Sequence, residues 1–442
     1  MLVAALSAVT AGGLAAPAHA STNASTTDAG ATTITAASAL TTCSVSGLVS
    51  AWPTGSVAVE ARTLGGRVLV HHAATKPVAT ASTQKLLVAS AALAVLGPQH
   101  RIATRVVEGS AKGDVVLIGG GDVTLSRLPT GTASYYHGAA HLDALAAQVK
   151  TAWKAAHPNE RIRRVTVDAS LFTGRTWLPS WQVSERTEGY QPEMTALMVD
   201  GDRATPTAMN SPRSTDPVRR AATAFAALLG SNVKVTLGGK AAKGATRLGV
   251  VRSPTVKTMV SQALEDSDDT IAESLARLVA IKEGDGGGLK DIDAGVTTAL
   301  ETYGIPTTGV SLVDGSGLSA NNRIPPRYLT KLMVAIGNSG TAGGRADLGI
   351  IERALPIAGE TGTLAYSNRF AGANAIARGH VEAKTGYIKT ANALSGLVSA
   401  EDGSRIAFTI VASGTGNRFT TAVTAIDTLA TRIYRCGDAI TD

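Results

Sequence analysis

Alternating hydrophobic and polar residues near the start of the chain predict a β-hairpin. The segment Ser56 to His72, SVAVEARTLGGRVLVHH, alternates on both sides of Leu64-Gly65-Gly66. A period of two is typical of a strand with one buried face, and a glycine pair between two such runs favours a turn. The apolar run that follows, from about Ser82 to Leu96, ends at Gly97-Pro98 and predicts a buried helix.

The last quarter of the chain repeats the strand pattern and closes with a helix. Three strand-like runs, HVEAKTGYI, NALSGLVSA and RIAFTIVAS, lie between His380 and Ser413, and the last two are separated by the turn EDGS. Beyond them, apolar residues recur at helical spacing from Phe419 to Ile433. We therefore predict an α+β fold in which both ends of the chain build one antiparallel sheet flanked by helices.

The middle of the chain predicts a separate inserted unit. Strand-like runs GDVVLIGGGDVTL, RRVTVDASLF and NVKVTLGG alternate with a helix around His141 to Ala155. The predicted division is therefore a main domain of residues 43–97 and 255–442, interrupted by an inserted domain of residues 98–254.

The first 42 residues predict export. Residues 1–20 are apolar and end in Ala18-His19-Ala20, which is typical of a cleaved secretory signal. A membrane anchor is the alternative, but Gly-Gly and Pro interrupt the segment. Residues 21–42 are polar, small and of low complexity, which predicts a flexible tether.

Two cysteines, Cys43 and Cys436, bracket the predicted folded body. An oxidising compartment favours their pairing into one disulfide, and a sheet made from both chain ends predicts the same proximity. Two unrelated buried thiols are the alternative.

The net charge of +7 predicts a preference for anionic surroundings. Nucleic acid fits poorly, because the basic residues are scattered, do not alternate with aromatic residues, and belong to an exported chain. An anionic cell wall fits both the charge and the export.

Ser82 and Lys85 are the first candidates for chemistry, in the stretch TASTQK that opens the apolar helix. Residues three apart share a helix face, so the Lys85 amine can reach the Ser82 hydroxyl. A desolvated lysine near another cation can act as a base, which a serine nucleophile requires. By itself the pair also fits a helix cap followed by a solvated lysine.

Two further triplets, Ser267-Asp268-Asp269 and Lys384-Thr385-Gly386, follow in the order typical of penicillin-binding proteins and related β-lactamases. With them, the chain resembles the D-alanyl-D-alanine carboxypeptidase/endopeptidase family, the class C low-molecular-mass penicillin-binding proteins. The resemblance covers roughly residues 43–436. It is carried by ASTQK, GGGDVTL, SDDTIAESLAR, VDGSGLSANNRIPP, LPIAGETGTL and VEAKTG.

The resemblance implies a serine-type D-Ala-D-Ala carboxypeptidase with a penicillin-binding, serine β-lactamase-like fold. Its substrates would be peptidoglycan stem peptides, with endopeptidase activity on cross-links as an addition, and β-lactam antibiotics would be covalent inhibitors. Ser82 would be the acylated nucleophile, Lys85 its base, and Ser267 the relay of a proton to the leaving amine.

The third triplet would hold the substrate. The resemblance implies that Lys384 and Thr385 line the binding strand and that Thr385 grips the terminal carboxylate. Backbone N–H groups of Ser82 and Tyr387 would form the oxyanion hole. A glycine at 386 leaves room for a substrate backbone to lie against the strand.

Two positions depart from the family pattern. Asp269 stands where the family has asparagine, and an ionised aspartate accepts hydrogen bonds but cannot donate them. It would also stabilise nearby lysines in their charged form and oppose the base role. We expect reduced acylation; altered substrates, a partly protonated Asp269 and a non-catalytic peptidoglycan-binding or sensing protein are the alternatives. Tyr387 replaces a small hydroxyl residue.

Other chemistry is less well supported. A β-lactamase or esterase on the same fold remains an alternative, because no motif decides how fast water clears the acyl group. His137 and His141 have zinc-protease spacing, but HGAAH lacks the glutamate base, so we expect no metal. No motif predicts a cofactor.

Overall fold

Two five-stranded sheets form the β structure of the described residues, 43–442, in this computed structural model. In chain order, the strands are β1 (Ser56–Thr63), β2 (Val68–His72), β3 (Arg101–Glu108), β4 (Asp114–Ile118), β5 (Arg164–Asp168), β6 (Lys234–Thr236), β7 (Arg247–Thr255), β8 (Val381–Ile388), β9 (Ala391–Ser399) and β10 (Arg405–Ser413).

The first sheet joins the two ends of the described chain. Its order is β2-β1-β10-β9-β8, and every neighbouring pair is antiparallel. The central strands β9 and β10 are buried along nearly their whole length, since helices cover both faces. The predicted hairpin, the three C-terminal strands and the sheet built from both chain ends are confirmed. β8 is an edge strand: Ala358 N donates to the Val381 carbonyl and Ala383 N to the Pro356 carbonyl on the outer side of its first half, and no strand of the sheet pairs with the outer side of its second half.

The second sheet lies within the predicted segment 98–254, apart from Thr255 at the end of β7. Its order is β6-β5-β4-β3-β7, with β4, β5 and β6 parallel and β3 antiparallel to both of its neighbours. The run predicted as one long strand after Gly113 ends at Ile118. A Cβ on Gly119 would lie 2.4 Å from the Ala196 carbonyl oxygen, so close backbone packing replaces pairing there. The boundaries of 98–254 stay a prediction.

Helices fill the space around both sheets. They are α1 (Ser46–Ser50), α2 (Lys85–Val95), α3 (Leu142–Ala156), α4 (Ser184–Thr187), α5 (Pro217–Leu229), α6 (Val256–Glu265), α7 (Asp269–Glu283), α8 (Ile292–Glu301), α9 (Pro326–Gly337), α10 (Gly349–Glu352) and α11 (Phe419–Cys436).

The predicted buried helix after residue 82 begins with a tighter turn than expected. Residues Ala81–Gln84 form a 3₁₀ turn, and the α-helix α2 starts at Lys85. All but the last two residues of α2 are buried, because its side chains are apolar on every face. The predicted helices near His141 and from Phe419 are confirmed as α3 and α11.

A disulfide between Cys43 and Cys436 ties the N-terminal end of the described chain to the end of α11. The predicted pairing is therefore confirmed. The predicted signal (1–20) and tether (21–42) lie outside the described residues. Between Cys43 and Asp442, no helix combines the length and the apolar character needed to cross a membrane.

Candidate active site

The turn that leads into α2 brings a serine and a lysine together. Lys85 Nζ donates a hydrogen bond to Ser82 Oγ at 2.8 Å. Only 1% of Lys85 is exposed, against 8% of Ser82, so the amine is desolvated while the hydroxyl reaches a cleft. The pair therefore has the spacing that proton transfer from hydroxyl to amine requires.

Lys85 makes two further hydrogen bonds. Its Nζ donates to Asp269 Oδ1 at 2.6 Å and to the Ser316 carbonyl at 2.7 Å. An ammonium has three N–H donors and no acceptor, and here each donor has a partner. The amine thus lies between a hydroxyl, a buried carboxylate and a backbone carbonyl.

Asp269 opens α7, one residue after the Asp268 cap. Burial raises the pKa of the Asp269 carboxyl, and the positive charge of Lys85 opposes that effect only in part. A carboxyl whose pKa is raised accepts a proton from the lysine more readily than a free aspartate does. Asp269 therefore both stabilises the cation and offers it a proton acceptor.

Ser267 and Lys384 form the second hydroxyl–amine pair of the site. Lys384 Nζ donates to Ser267 Oγ at 2.8 Å and to the Thr385 carbonyl at 2.9 Å. Burial is the main reason that the pKa of Lys384 is lowered well below its usual range, and the nearby charge of Lys85 adds to the effect. The three motifs, distant in sequence, thus converge at one place.

Strand β8 presents the third motif along the cleft. Thr385 Oγ1 lies 2.7 Å from Thr363 Oγ1, which fixes its hydroxyl at the cleft wall. Tyr387 is half-exposed, and its ring meets Phe419 edge to face with centroids 4.6 Å apart. Tyr387 thus places an aromatic wall beyond the open edge of β8.

Gly386 packs against this chain's own turn at Thr80–Ser82, whereas the sequence predicts that a substrate backbone lies against it. A Cβ there would lie 2.7 Å from the Thr80 carbonyl oxygen and 3.2 Å from the Ser82 nitrogen. The space over Gly386 is therefore taken by this chain's own turn rather than by a substrate backbone. Gly317 packs on the same turn from the other side, since its Cβ would lie 2.2 Å from the Ala81 carbonyl oxygen.

The loop after Val313 supplies a partner that sequence reasoning missed. The carboxylate of Asp314 accepts hydrogen bonds from Gly317 N at 2.9 Å, Ser319 N at 2.8 Å and Trp181 Nε1 at 2.8 Å. These bonds hold the loop so that the Ser316 carbonyl faces Lys85. The motif VDGSGLS predicts a loop near the site, but a carbonyl contact leaves no trace in residue types.

Glu185 is a second group that no motif reveals. It lies on α4 and lines the same cleft as Ser82 and Asp269. Burial, and after it the charge of Asp269, raise the pKa of Glu185 to about 7. Glu185 therefore adds a titratable carboxyl to the lining of this cleft, which is about 950 Å³ in volume.

Comparison with known proteins identifies the family. A family model described as D-Ala-D-Ala carboxypeptidase 3 (S13) matches residues 53–229 and 207–433. The chain belongs to this family. Carboxypeptidase DacB of Mycolicibacterium smegmatis (strain ATCC 700084 / mc(2)155) is 37% identical over 377 residues, covering 84% of this chain and 78% of that protein. Carboxypeptidase Rv3627c of Mycobacterium tuberculosis is 36% identical over 363 residues, covering 82% and 76%.

Solved structures show the fold. Penicillin binding protein 4 (dacB) from Haemophilus influenzae superposes with a TM-score of 0.72 at 19% identity, covering 88% of this chain and 99% of that chain. The same protein complexed with a β-lactam superposes with a TM-score of 0.68 at 19% identity and the same coverage. The predicted D-alanyl-D-alanine carboxypeptidase family, the penicillin-binding α+β fold and, at the level of the family, the serine-type D-Ala-D-Ala carboxypeptidase are confirmed.

Proposed function

We propose that this S13 family member removes the terminal D-alanine from peptidoglycan stem peptides outside the cytoplasm, through an ester formed on Ser82. The observation that carries the proposal is the 2.8 Å contact between Lys85 Nζ and Ser82 Oγ beside a cleft. A serine hydroxyl becomes nucleophilic when a positioned base takes its proton. The net charge of +7 favours an anionic cell wall as the surroundings.

In the acylation step, Ser82 Oγ attacks the carbonyl carbon of the penultimate D-alanine while its proton passes to Lys85. Backbone N–H groups of Ser82 and Tyr387 would stabilise the oxyanion that forms. Ser267 then passes its proton to the departing nitrogen and takes one in turn from Lys384, whose Nζ donates to its hydroxyl; the C–N bond breaks, and D-alanine leaves. The remaining peptide stays as an ester on Ser82.

In the second step, water attacks the ester carbonyl and restores the Ser82 hydroxyl and a free peptide carboxylate. The same two steps on a cross-linked stem peptide would give endopeptidase activity. Lys384 and the Thr385 hydroxyl are the groups that we assign to the substrate's terminal carboxylate, since an amine and a hydroxyl both donate hydrogen bonds to that anion.

Asp269 is expected to slow the first step without preventing it. Lys85 can accept the Ser82 proton only after losing one of its own, and a carboxylate at 2.6 Å stabilises the charged amine. Because burial raises the pKa of the Asp269 carboxyl, Asp269 is a better proton acceptor than a free aspartate, and a proton moved to it from Lys85 would leave the amine able to act as the base.

β-Lactams should acylate the same serine. The similar protein from Haemophilus influenzae forms a complex with a β-lactam. A β-lactam opened by Ser82 would leave an ester in the place of the acyl-peptide, so labelling by a fluorescent penicillin reports the acylation step alone.

Assay of D-alanine released from diacetyl-Lys-D-Ala-D-Ala tests the proposal. We expect release by the unmodified protein and none by Ser82→Ala. Release that survives in Ser82→Ala would remove Ser82 from the role of nucleophile. The second candidate is a non-catalytic peptidoglycan-binding protein, and the Lys85–Asp269 ion pair is the observation that favours it. If neither protein releases D-alanine but both bind the peptide, this second candidate is supported.

A further inference from the structure

Ser267 sits in an unfavourable backbone conformation between two helices. Its φ is +61°, in the left-handed region that side chains with a Cβ rarely adopt. It belongs to the short link between the end of α6 and the start of α7. Such a conformation persists only where the surrounding structure holds it.

The residue after Ser267 is held by an arginine from the inserted segment. Arg203 Nη2 donates to Asp268 Oδ2 at 3.0 Å, and the other oxygen of Asp268 caps Ile271 N at 2.7 Å. Only 1% of Arg203 is exposed; its Nε donates to the carbonyls of Ala208 and Met209, and its Nη1 donates to the carbonyl of Asp200.

The residue before Ser267 is held by a tyrosine from the same segment. Tyr135 Oη donates to Asp266 Oδ2 at 2.9 Å, and Gln262 Nε2 links the Tyr135 carbonyl at 3.0 Å with that carboxylate at 3.2 Å. The Tyr135 ring also stacks on Arg203, with the guanidinium carbon 4.0 Å from its centroid. The two contacts therefore form one unit.

We propose that Arg203 and Tyr135 are positioning residues for the reaction, which fix the Ser267 hydroxyl where it can protonate the leaving amine. The residues on both sides of Ser267 are hydrogen-bonded by side chains of the inserted segment, while the Ser267 hydroxyl accepts a hydrogen bond from Lys384 Nζ at 2.8 Å. Loosening either grip lets the link relax toward an ordinary backbone conformation and moves the hydroxyl. The inserted segment is thus a working part of the catalytic site, an inference that rests on the proposed role of Ser267.

Substrates with different leaving groups show whether Arg203 and Tyr135 position the Ser267 hydroxyl or only support the packing of the protein. An amine must gain a proton as the C–N bond breaks, whereas a thiolate leaves without one. We would compare kcat/KM for diacetyl-Lys-D-Ala-D-Ala with kcat/KM for the matching thioester, in which thioglycolate replaces the last D-alanine. Tyr135→Phe keeps the ring and removes only the hydroxyl. Arg203→Lys keeps the positive charge but removes the planar guanidinium group, which binds several partners at once.

In both variants, kcat/KM should fall about tenfold for the peptide and less than about twofold for the thioester. Ser267→Ala should show the same selectivity to a greater degree. Tyr303→Phe is the matched control, because it also removes a hydroxyl that contacts a carboxylate, Asp347 Oδ2 at 3.2 Å. It should leave the ratio of the two substrates unchanged.

Suppose that Ser267→Ala loses kcat/KM selectively on the peptide. The inference is then overturned if Tyr135→Phe loses kcat/KM equally on peptide and thioester, or does not lose it at all. If Ser267→Ala itself shows no selectivity, the proposed role of Ser267 is wrong and the inference falls with it. Melting temperatures of all variants show whether each is folded. Should Arg203→Lys not fold, Tyr135→Phe alone decides.

Discussion

Lys85 and Asp269 form a buried ion pair, 2.6 Å between Nζ and Oδ1, at the point where the proton of Ser82 must go. Lys85 therefore has two competing partners, a hydroxyl to deprotonate and a carboxylate that stabilises its charge. An asparagine at this place would leave the amine a hydrogen bond without a negative charge.

The first prediction concerns this pair. Asp269→Asn should raise the rate of labelling by a fluorescent penicillin at neutral pH by about three- to tenfold, because removal of the carboxylate favours the neutral amine of Lys85. Stopped-time labelling and gel fluorescence measure the rate. An unchanged rate would contradict the inhibitory role given to Asp269, and Ser82→Ala supplies the unlabelled baseline.

The second prediction concerns the packing of β8 on the nucleophile's turn. Gly386→Ala should lower labelling by about a hundredfold, since a Cβ 2.7 Å from the Thr80 carbonyl must push the strand away from Ser82. Gly340→Ala is the control, because no atom lies within 4 Å of a Cβ added there. Full labelling in a folded Gly386→Ala protein would show that acylation does not depend on the distance between β8 and Ser82.

The third prediction concerns the loop that carries the Ser316 carbonyl. Trp181→Phe removes the Nε1–H donor from Asp314 and should lower both the labelling rate and the free energy of unfolding, the latter by about 1–3 kcal/mol. Urea unfolding measures the second effect. Trp52→Phe makes the same change where Nε1 is buried with no hydrogen-bond partner, so it should cost less.

The fourth prediction concerns pH. Because the pKa of Glu185 rises from 4.5 to about 7 on folding, the folded state binds more protons in that window. The free energy of unfolding should therefore fall as pH rises through it. At pH 8, Glu185→Gln should be more stable than the unmodified protein by about 1 kcal/mol, after allowance for solvent screening of a half-buried group.

Thermal or urea unfolding at pH 4.5 and at pH 8 measures the effect of Glu185→Gln. The two proteins should be nearly equal at the lower pH, where the carboxyl is neutral. A stability difference that does not change between the two pH values would mean that Glu185 titrates normally in the folded protein.

Much of the fold was accessible from local pattern. The alternating run after Ser56 and the helical spacing after Phe419 predicted their elements, because burial of one face imposes a period on the chain. The strand prediction for the 13-residue run that begins at Gly113 was too long, since Gly119 and Gly120 pack closely on other backbone segments and do not continue the strand. A pattern of hydrophobicity does not separate close packing from strand pairing.

Residue types and their order by themselves determined the family, the three motif segments and the cysteine pair. Only the tertiary structure decided what surrounds Ser82 and Ser267: the Asp269 carboxylate on Lys85, the Ser316 carbonyl, and the grip of Arg203 and Tyr135 on both sides of Ser267. These contacts join residues from 65 to 231 positions apart. Local periodicity carries no information about such pairs, because the packing of whole elements brings them together.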